Sequence, residues 1–160
     1  MKRAIVRSLL LVTAVSIVTA STASAAGPLT FYSVTPCRIA DTRNPANGQG
    51  TGGPALAAQV VRNFTVRGMC GIPLNGPLAV VLNATVVTPT GAGHLTMFPA
   101  GGSLPNVSNL NFAAGEPALG NGAIVPLHAT DPTYHIAVFA GIPAGTTMHL
   151  VLDVTGYFAP

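Results

Sequence analysis

The chain has 160 residues, 49% of them hydrophobic and only 7% charged, with a formal net charge of +3. Lys2, Arg3 and Arg7 supply that excess; beyond residue 25, Arg38, Arg43, Arg62 and Arg67 face Asp41, Glu116, Asp131 and Asp153, and the formal charge is zero. This balance argues against a nucleic-acid surface, which needs clustered positive charge, and the length suits a single domain with a real core.

In chain order, residues 1–25 read as an export signal. A basic start precedes the apolar run "SLLLVTAVSIVTA" (8–20), and "STASA" (21–25) supplies the small residues of a cleavage site. The run is short and interrupted by Ser and Thr, so no stable membrane span is expected after cleavage. Residues 26–160 are then one secreted domain, placed in the extracellular space or at the cell surface. A surface so poor in charge lacks the self-repulsion that keeps proteins apart. The expected partner is therefore an envelope polymer or polysaccharide, or another protein, either a neighbour or a second copy.

The domain reads as β throughout. "LTFYSV" (29–34), "RIAD" (38–41), "QVVRNFTV" (59–66), "LAVVLNATVV" (78–87), "HLTMFP" (94–99), "VSNLNF" (107–112), "AIVPLH" (123–128), "YHIAVFA" (134–140) and "MHLVLDVTGYF" (148–158) are β-branched and aromatic runs between Gly, Pro and Asn clusters. The spacing predicts an all-β, two-sheet β-sandwich of Greek-key or jelly-roll type. "GIPLNGPLAVVLNATV" (71–86) aligns without gaps to "GIPAGTTMHLVLDVTG" (141–156), placing Asn83 on Asp153. The match suggests two related half-domains that each bury one face and pack on each other. "NPANGQGTGGPA" (44–55) reads as a flexible surface loop.

Cys37 and Cys70 are the only cysteines. In an oxidising compartment they are expected to form one disulfide. The densest chemistry is "PCRIADTR" (36–43). On an ideal strand Arg38 and Asp41 face opposite sides, while Asp41 and Arg43 share a face. Two readings follow. One is a structural clasp in which Asp41 caps the turn beginning at Thr42 and an arginine reaches Asp153. The other is an anion or carbohydrate site with Arg43, Asn44 and Asn47 at the loop and an exposed Tyr134 to stack on a sugar. Scarcity of charge favours the clasp, since an unpaired buried charge is costly.

An enzyme is not expected. Asp41 and Asp153 are the one carboxylate pair on neighbouring elements, and nearby arginines would keep both ionised where a glycosidase needs one raised acid. No G-x-S-x-G is present, and "GQGTGG" (48–53) lacks the lysine of a P-loop. A hairpin at "AGIPAG" (140–145) would bring His135 and His149 to one face, but no further ligand stands near them in sequence, and no metal or other cofactor is expected. Asp41, Asn44 and Asn47 offer calcium only one carboxylate.

"FYSVTPCRIADTR", "GGPALAA", "CGIP", "VVLNATVVTPTGAGHLTMFPAGGSLPNVSNLNF" and "HLVLDVTGYF" together resemble an uncharacterised family of secreted β-rich domains of environmental bacteria. The family has a Pro-x-Arg-x-x-Asp-Thr-Arg opening and an Asp-Val-x-Gly-Tyr-Phe end. These fall here on Pro36, Arg38, Asp41, Thr42 and Arg43, and on Asp153, Gly156, Tyr157 and Phe158. The resemblance spans nearly all of 30–158, with "MFPAG" replacing a Tyr-containing stretch. It implies an extracellular module without established catalytic residues. It also implies that the disulfide is a staple, since many relatives lack the cysteines.

Overall fold

A computed structural model describes residues 27–47 and 50–160. The export signal read over residues 1–25 lies outside the described residues, as do Gly48 and Gln49. Nine strands follow in order: β1 (Thr30–Asp41), β2 (Leu56–Ala57), β3 (Val61–Phe64), β4 (Ala79–Val87), β5 (Gly93–Pro99), β6 (Leu110–Phe112), β7 (Ala118–Pro126), β8 (Ile136–Gly141) and β9 (Thr147–Ala159). Among the described residues there is no helix, and hence none long and apolar enough to cross a membrane.

The protein is an all-β sandwich. Sheet one has the order β1-β9-β4-β7, with β2 pairing the start of β9; sheet two has the order β3-β8-β5-β6. Every pairing is antiparallel. The pairs nest: β1 with β9, β3 with β8, β4 with β7, and β5 with β6. The chain is thus one long hairpin, closed between β5 and β6 and rolled until β4 meets β9 and β5 meets β8. This is the jelly-roll form of the sandwich.

Alternation sets the core. Val80, Leu82, Ala84 and Val86 on β4 and Met148, Leu150, Leu152 and Val154 on β9 all point inward and are buried. They meet Leu95 and Met97 of β5 and Ile136 and Val138 of β8 from sheet two. Each large aliphatic side chain buried this way contributes about 1.5–3 kcal/mol. β8 is buried on both faces, because Ala137 and Phe139 form a second small cluster with Phe98 on the outer side of sheet two.

Three expectations change. Residues 29–34 and 38–41 are one strand, β1, held by β9 along its length and broken by irregularities between Ser33 and Cys37 and between Arg38 and Ala40. Pro36 sits in the first of these, where the missing N–H costs no ladder bond. The repeat lies on β4 and β9, which pair antiparallel, so of the aligned positions only Asn83 and Asp153 also stand opposite each other. Ile72 and Ile142 of the two "GIP" turns are buried in the same core. The two copies do not stack as separate layers, however. β4 and β9 lie side by side in sheet one, and β3 and β8 in sheet two, so the halves interleave. Each copy takes its backbone partners from the other. Finally, β8 and β9 are not a hairpin; their connection crosses between the sheets.

Cys37 and Cys70 form a disulfide with a sequence separation of 33. It joins β1, an edge of sheet one, to the turn after β3, an edge of sheet two. Closing that loop stabilises the fold by about 3–4 kcal/mol in the chain-entropy model.

Candidate functional site

Two polar regions stand out, one rich in charge and one without any. The charged region is "PCRIADTR". Pairing with β9 advances from Asp153 to Leu152 as β1 advances from Arg38 to Ala40, so Ile39 is the extra residue of a bulge. The bulge reverses the side-chain parity. Arg38 and Asp41 therefore share a side, against the ideal-strand expectation. Arg38 forks onto Asp153, Nε to Oδ1 at 2.8 Å and Nη2 to Oδ2 at 3.1 Å. Its Nη1 donates to Asp41 Oδ2 at 3.2 Å. Arg43 closes on the same carboxylate, with Nε at 2.8 Å, Nη2 at 2.6 Å and its own backbone N–H at 3.1 Å.

The four side chains form a line of alternating charge, Asp153, Arg38, Asp41, Arg43, whose sum is zero. Asp41 is only 6% exposed. The hydrogen bonds from Arg43 hold its carboxyl down at about 2, against the desolvation that would raise it. Bonding to Asp153 raises the Arg38 guanidinium, and bonding to Asp41 raises that of Arg43. Thr42 is buried beside them. Its backbone N–H donates to the Leu150 carbonyl at 2.9 Å, and its hydroxyl accepts from the Leu150 N–H at 2.8 Å. His149 Nδ1 lies 3.0 Å from the Thr42 carbonyl oxygen. This segment therefore fastens the end of β1 to the start of β9.

The described parts of the 44–55 loop are tied down in the same neighbourhood. Asn47 accepts from the Thr51 N–H at 3.1 Å and donates to its hydroxyl at 2.9 Å. The Gly53 N–H donates to the Asn44 carbonyl at 2.8 Å. Arg62, on β3, donates to the carbonyls of Pro54 (2.7 Å), Gly50 (3.0 Å), Gly53 (3.3 Å) and Gly52, and its guanidinium lies 5.3 Å from the Phe64 ring centroid. Gly52 and Gly53 are buried. The Gly50–Pro54 part is thus a clamped corner, in contrast to the flexible surface loop its composition suggests. Arg62 was the missed residue. Its only sequence signal, shared with Arg67, is that no carboxylate stands close to it in sequence.

The proposed binding set is divided. Arg43, Asn44 and Asn47 lie at the end of the sandwich where β9 begins. Tyr134, 42% exposed, precedes β8, whose first residue pairs with Phe64 and Pro99 at the other end. His135 and His149 are separated in the same way, so no shared metal face forms. His135 is buried and accepts the Val66 N–H at 3.0 Å through Nδ1; burial, aided by Arg67, lowers its pKa. Asp131 caps a turn, accepting the N–H groups of Thr133 and Tyr134 at 2.8 and 2.9 Å, which lower its pKa. Tyr157 packs against the core, and Tyr32 stacks on it with centroids 5.2 Å apart. No group of three or more His, Cys, Asp or Glu suited to a metal occurs among the described residues.

The uncharged region lies on the outer side of sheet two. The segment after β5 turns back across that sheet and walls a groove of about 470 Å³ with His94, Thr96, Leu104, Asn106, Val107, Ser108 and Asn111. The wall is pinned from beneath. Asn109 accepts the Met97 N–H at 2.6 Å and gives its own N–H to the Leu95 carbonyl at 2.8 Å. Thr96 donates to the Val107 carbonyl at 2.6 Å, and Asn121 donates to the Asn109 carbonyl at 2.6 Å. Sequence reading passes over this groove because residues 107–112 read as a strand, where only Leu110–Phe112 is one, and "GGSLPN" looks like ordinary turn composition.

No family model, no curated protein and no solved structure matches the chain.

Proposed function

We propose that the protein is a secreted, non-catalytic module of the extracellular space or cell envelope, acting by binding or packing against an uncharged partner. The observation that carries this reading is the internal use of charge. Arg38, Asp41, Arg43 and Asp153 neutralise one another, and Arg62 is spent on backbone carbonyls. Arg67 is likewise spent on the Pro77 carbonyl, and apart from Glu116 and Asp131 what remains for a partner is an uncharged surface. The resemblance to secreted β-rich domains supports the location, as does the disulfide.

The carboxylates support the non-catalytic part. Asp41 is held at about 2 and Asp131 is lowered by backbone donors, so neither is a proton donor near neutrality. A second reading, a fibre or lattice subunit, is favoured by β7. This edge strand carries no charge and leaves Ile124 61% exposed. Uncharged edges invite pairing with another chain, whereas β1 at the other edge is guarded by Pro36 and its bulges.

The test is sedimentation of the full chain, expressed for export, with cell-envelope fractions and insoluble neutral polysaccharides. Retention by one polymer is the expected result. Free protein at all concentrations, without self-association, would overturn the proposal.

A further inference from the structure

The groove on sheet two differs from the charged clasp in one respect: several of its polar groups are not used within the fold. The Asn106 amide and the His94 imidazole have no side-chain hydrogen bond to another described residue. Asn111 donates to the Ser108 hydroxyl at 3.1 Å, leaving the Asn111 carbonyl oxygen and the Ser108 hydroxyl proton available. The His94 ring lies over Gly141, where a Cβ would collide with it, and its centroid is 6.0 Å from that of Phe139. Packing of this kind fixes the ring plane, and the ring lines the groove. Leu104, 46% exposed, and Val107, 60% exposed, supply apolar surface alongside.

The lining contains no carboxylate, Lys or Arg. A charged ligand would lose its hydration there without a counter-charge, which is unfavourable. A neutral ligand bearing both donors and acceptors meets partners of both kinds in an amide, a hydroxyl and an imidazole. An apolar patch within the same ligand meets Leu104 and Val107. A pyranose combines these features: hydroxyls around its rim and C–H groups on its faces. The volume of about 470 Å³ lies within the roughly 300–1,000 Å³ of small-ligand sites. The wall is preorganised by the Asn109 and Thr96 hydrogen bonds, so little ordering cost remains for a ligand to meet.

We infer that this groove is a binding site for an uncharged saccharide, with His94, Asn106, Ser108 and Asn111 as its hydrogen-bonding groups and Leu104 and Val107 as its apolar wall. This rests on the reading of the protein as a non-catalytic binding module and gives that module its site.

The experiment is a titration of the ¹⁵N-labelled full chain, expressed for export, with cellohexaose, chitohexaose, xylohexaose and a neutral Gly/Ser/Asn decapeptide. One of the saccharides is expected to shift the amides of 94–96 and 104–111 and to leave 38–47 unmoved. The double variant H94A/N106A is expected to lose at least tenfold in affinity while keeping its melting temperature; S108A, a smaller change, loses less. Shifts confined to other regions, shifts from the peptide alone, or none from any saccharide overturn the inference. Wild type and double variant are then compared on the insoluble polymers. Equal retention of both would sink the groove and leave the binding module standing, whereas retention of neither would sink the module itself.

Discussion

The clasp on β1 and the groove on sheet two are both polar, and both lie on strands of the same sandwich. In the clasp, Asp41 accepts four hydrogen bonds and Arg38 serves two carboxylates. In the groove, the Asn106 amide and the His94 ring serve none of the described side chains. Polar groups that satisfy one another stabilise the fold and offer little to a ligand. Polar groups left facing water cost little and remain free to exchange that water for a partner. By this criterion the charged segment, which draws the eye in the sequence, is spent on the fold, and the plain segment after β5 is where the proposal puts recognition.

If that division holds, changes on the clasp side lower stability without altering binding, and changes in the groove do the reverse. The largest effect is expected from the disulfide. Replacing Cys37 and Cys70 by Ser should lower unfolding free energy by about 3–4 kcal/mol, as the loop-entropy model gives, measured by urea denaturation. Asp41→Ala comes next, at about 2–4 kcal/mol, between the loss of charged hydrogen bonds and the breaking of a buried pair. The same residue sets an acid limb. With its pKa depressed from 3.8 to about 2, its contribution is complete above 3.8 and is lost as pH falls towards 2. Asp41→Asn should flatten that limb in melts taken between pH 5 and 2.

Arg62→Ala should cost about 1–3 kcal/mol through the carbonyls it leaves unpaired. It should also speed hydrogen exchange at the Gly53 amide. The smallest stability effect, within about 0.5 kcal/mol as for ordinary surface changes, is expected for His94→Ala. A large loss of stability there, or saccharide affinity abolished by Asp41→Ala without unfolding, would break the comparison.

The strands of this fold were largely legible. "LAVVLNATVV" and "MHLVLDVTGYF" read as strands from their β-branched and aromatic content, and they are β4 and β9, with Val80, Leu82, Ala84 and Val86 and their β9 counterparts inside. Those strands have one wet face, and period two is then written in the residue types. The disulfide followed from there being two cysteines in a domain read as exported. Other features come from pairing and leave no local trace. The extra residue at Ile39 exists because β9 sets the register, and it alone puts Arg38 beside Asp41. The crossing from β8 to β9 separates His135 from His149, although a short Gly/Pro turn between two strands reads as a hairpin. Arg62 and the groove were invisible for a related reason. Both depend on where a loop folds back, and Gly- and Pro-rich composition does not say where that is.

The nested order of strands also governs how the chain reaches this state. The bridge from Arg38 to Asp153 spans 115 residues, and only the β5–β6 hairpin closes locally. Folds dominated by such distant contacts form slowly, in roughly milliseconds to seconds, because loop-closure entropy must be overcome before the contacts form. During synthesis β1 has no partner until the last strand arrives, and sheet one lacks one of its two central strands until then. Sheet two and the β4–β7 pair can form before that, so β9 is the latch that closes the sandwich.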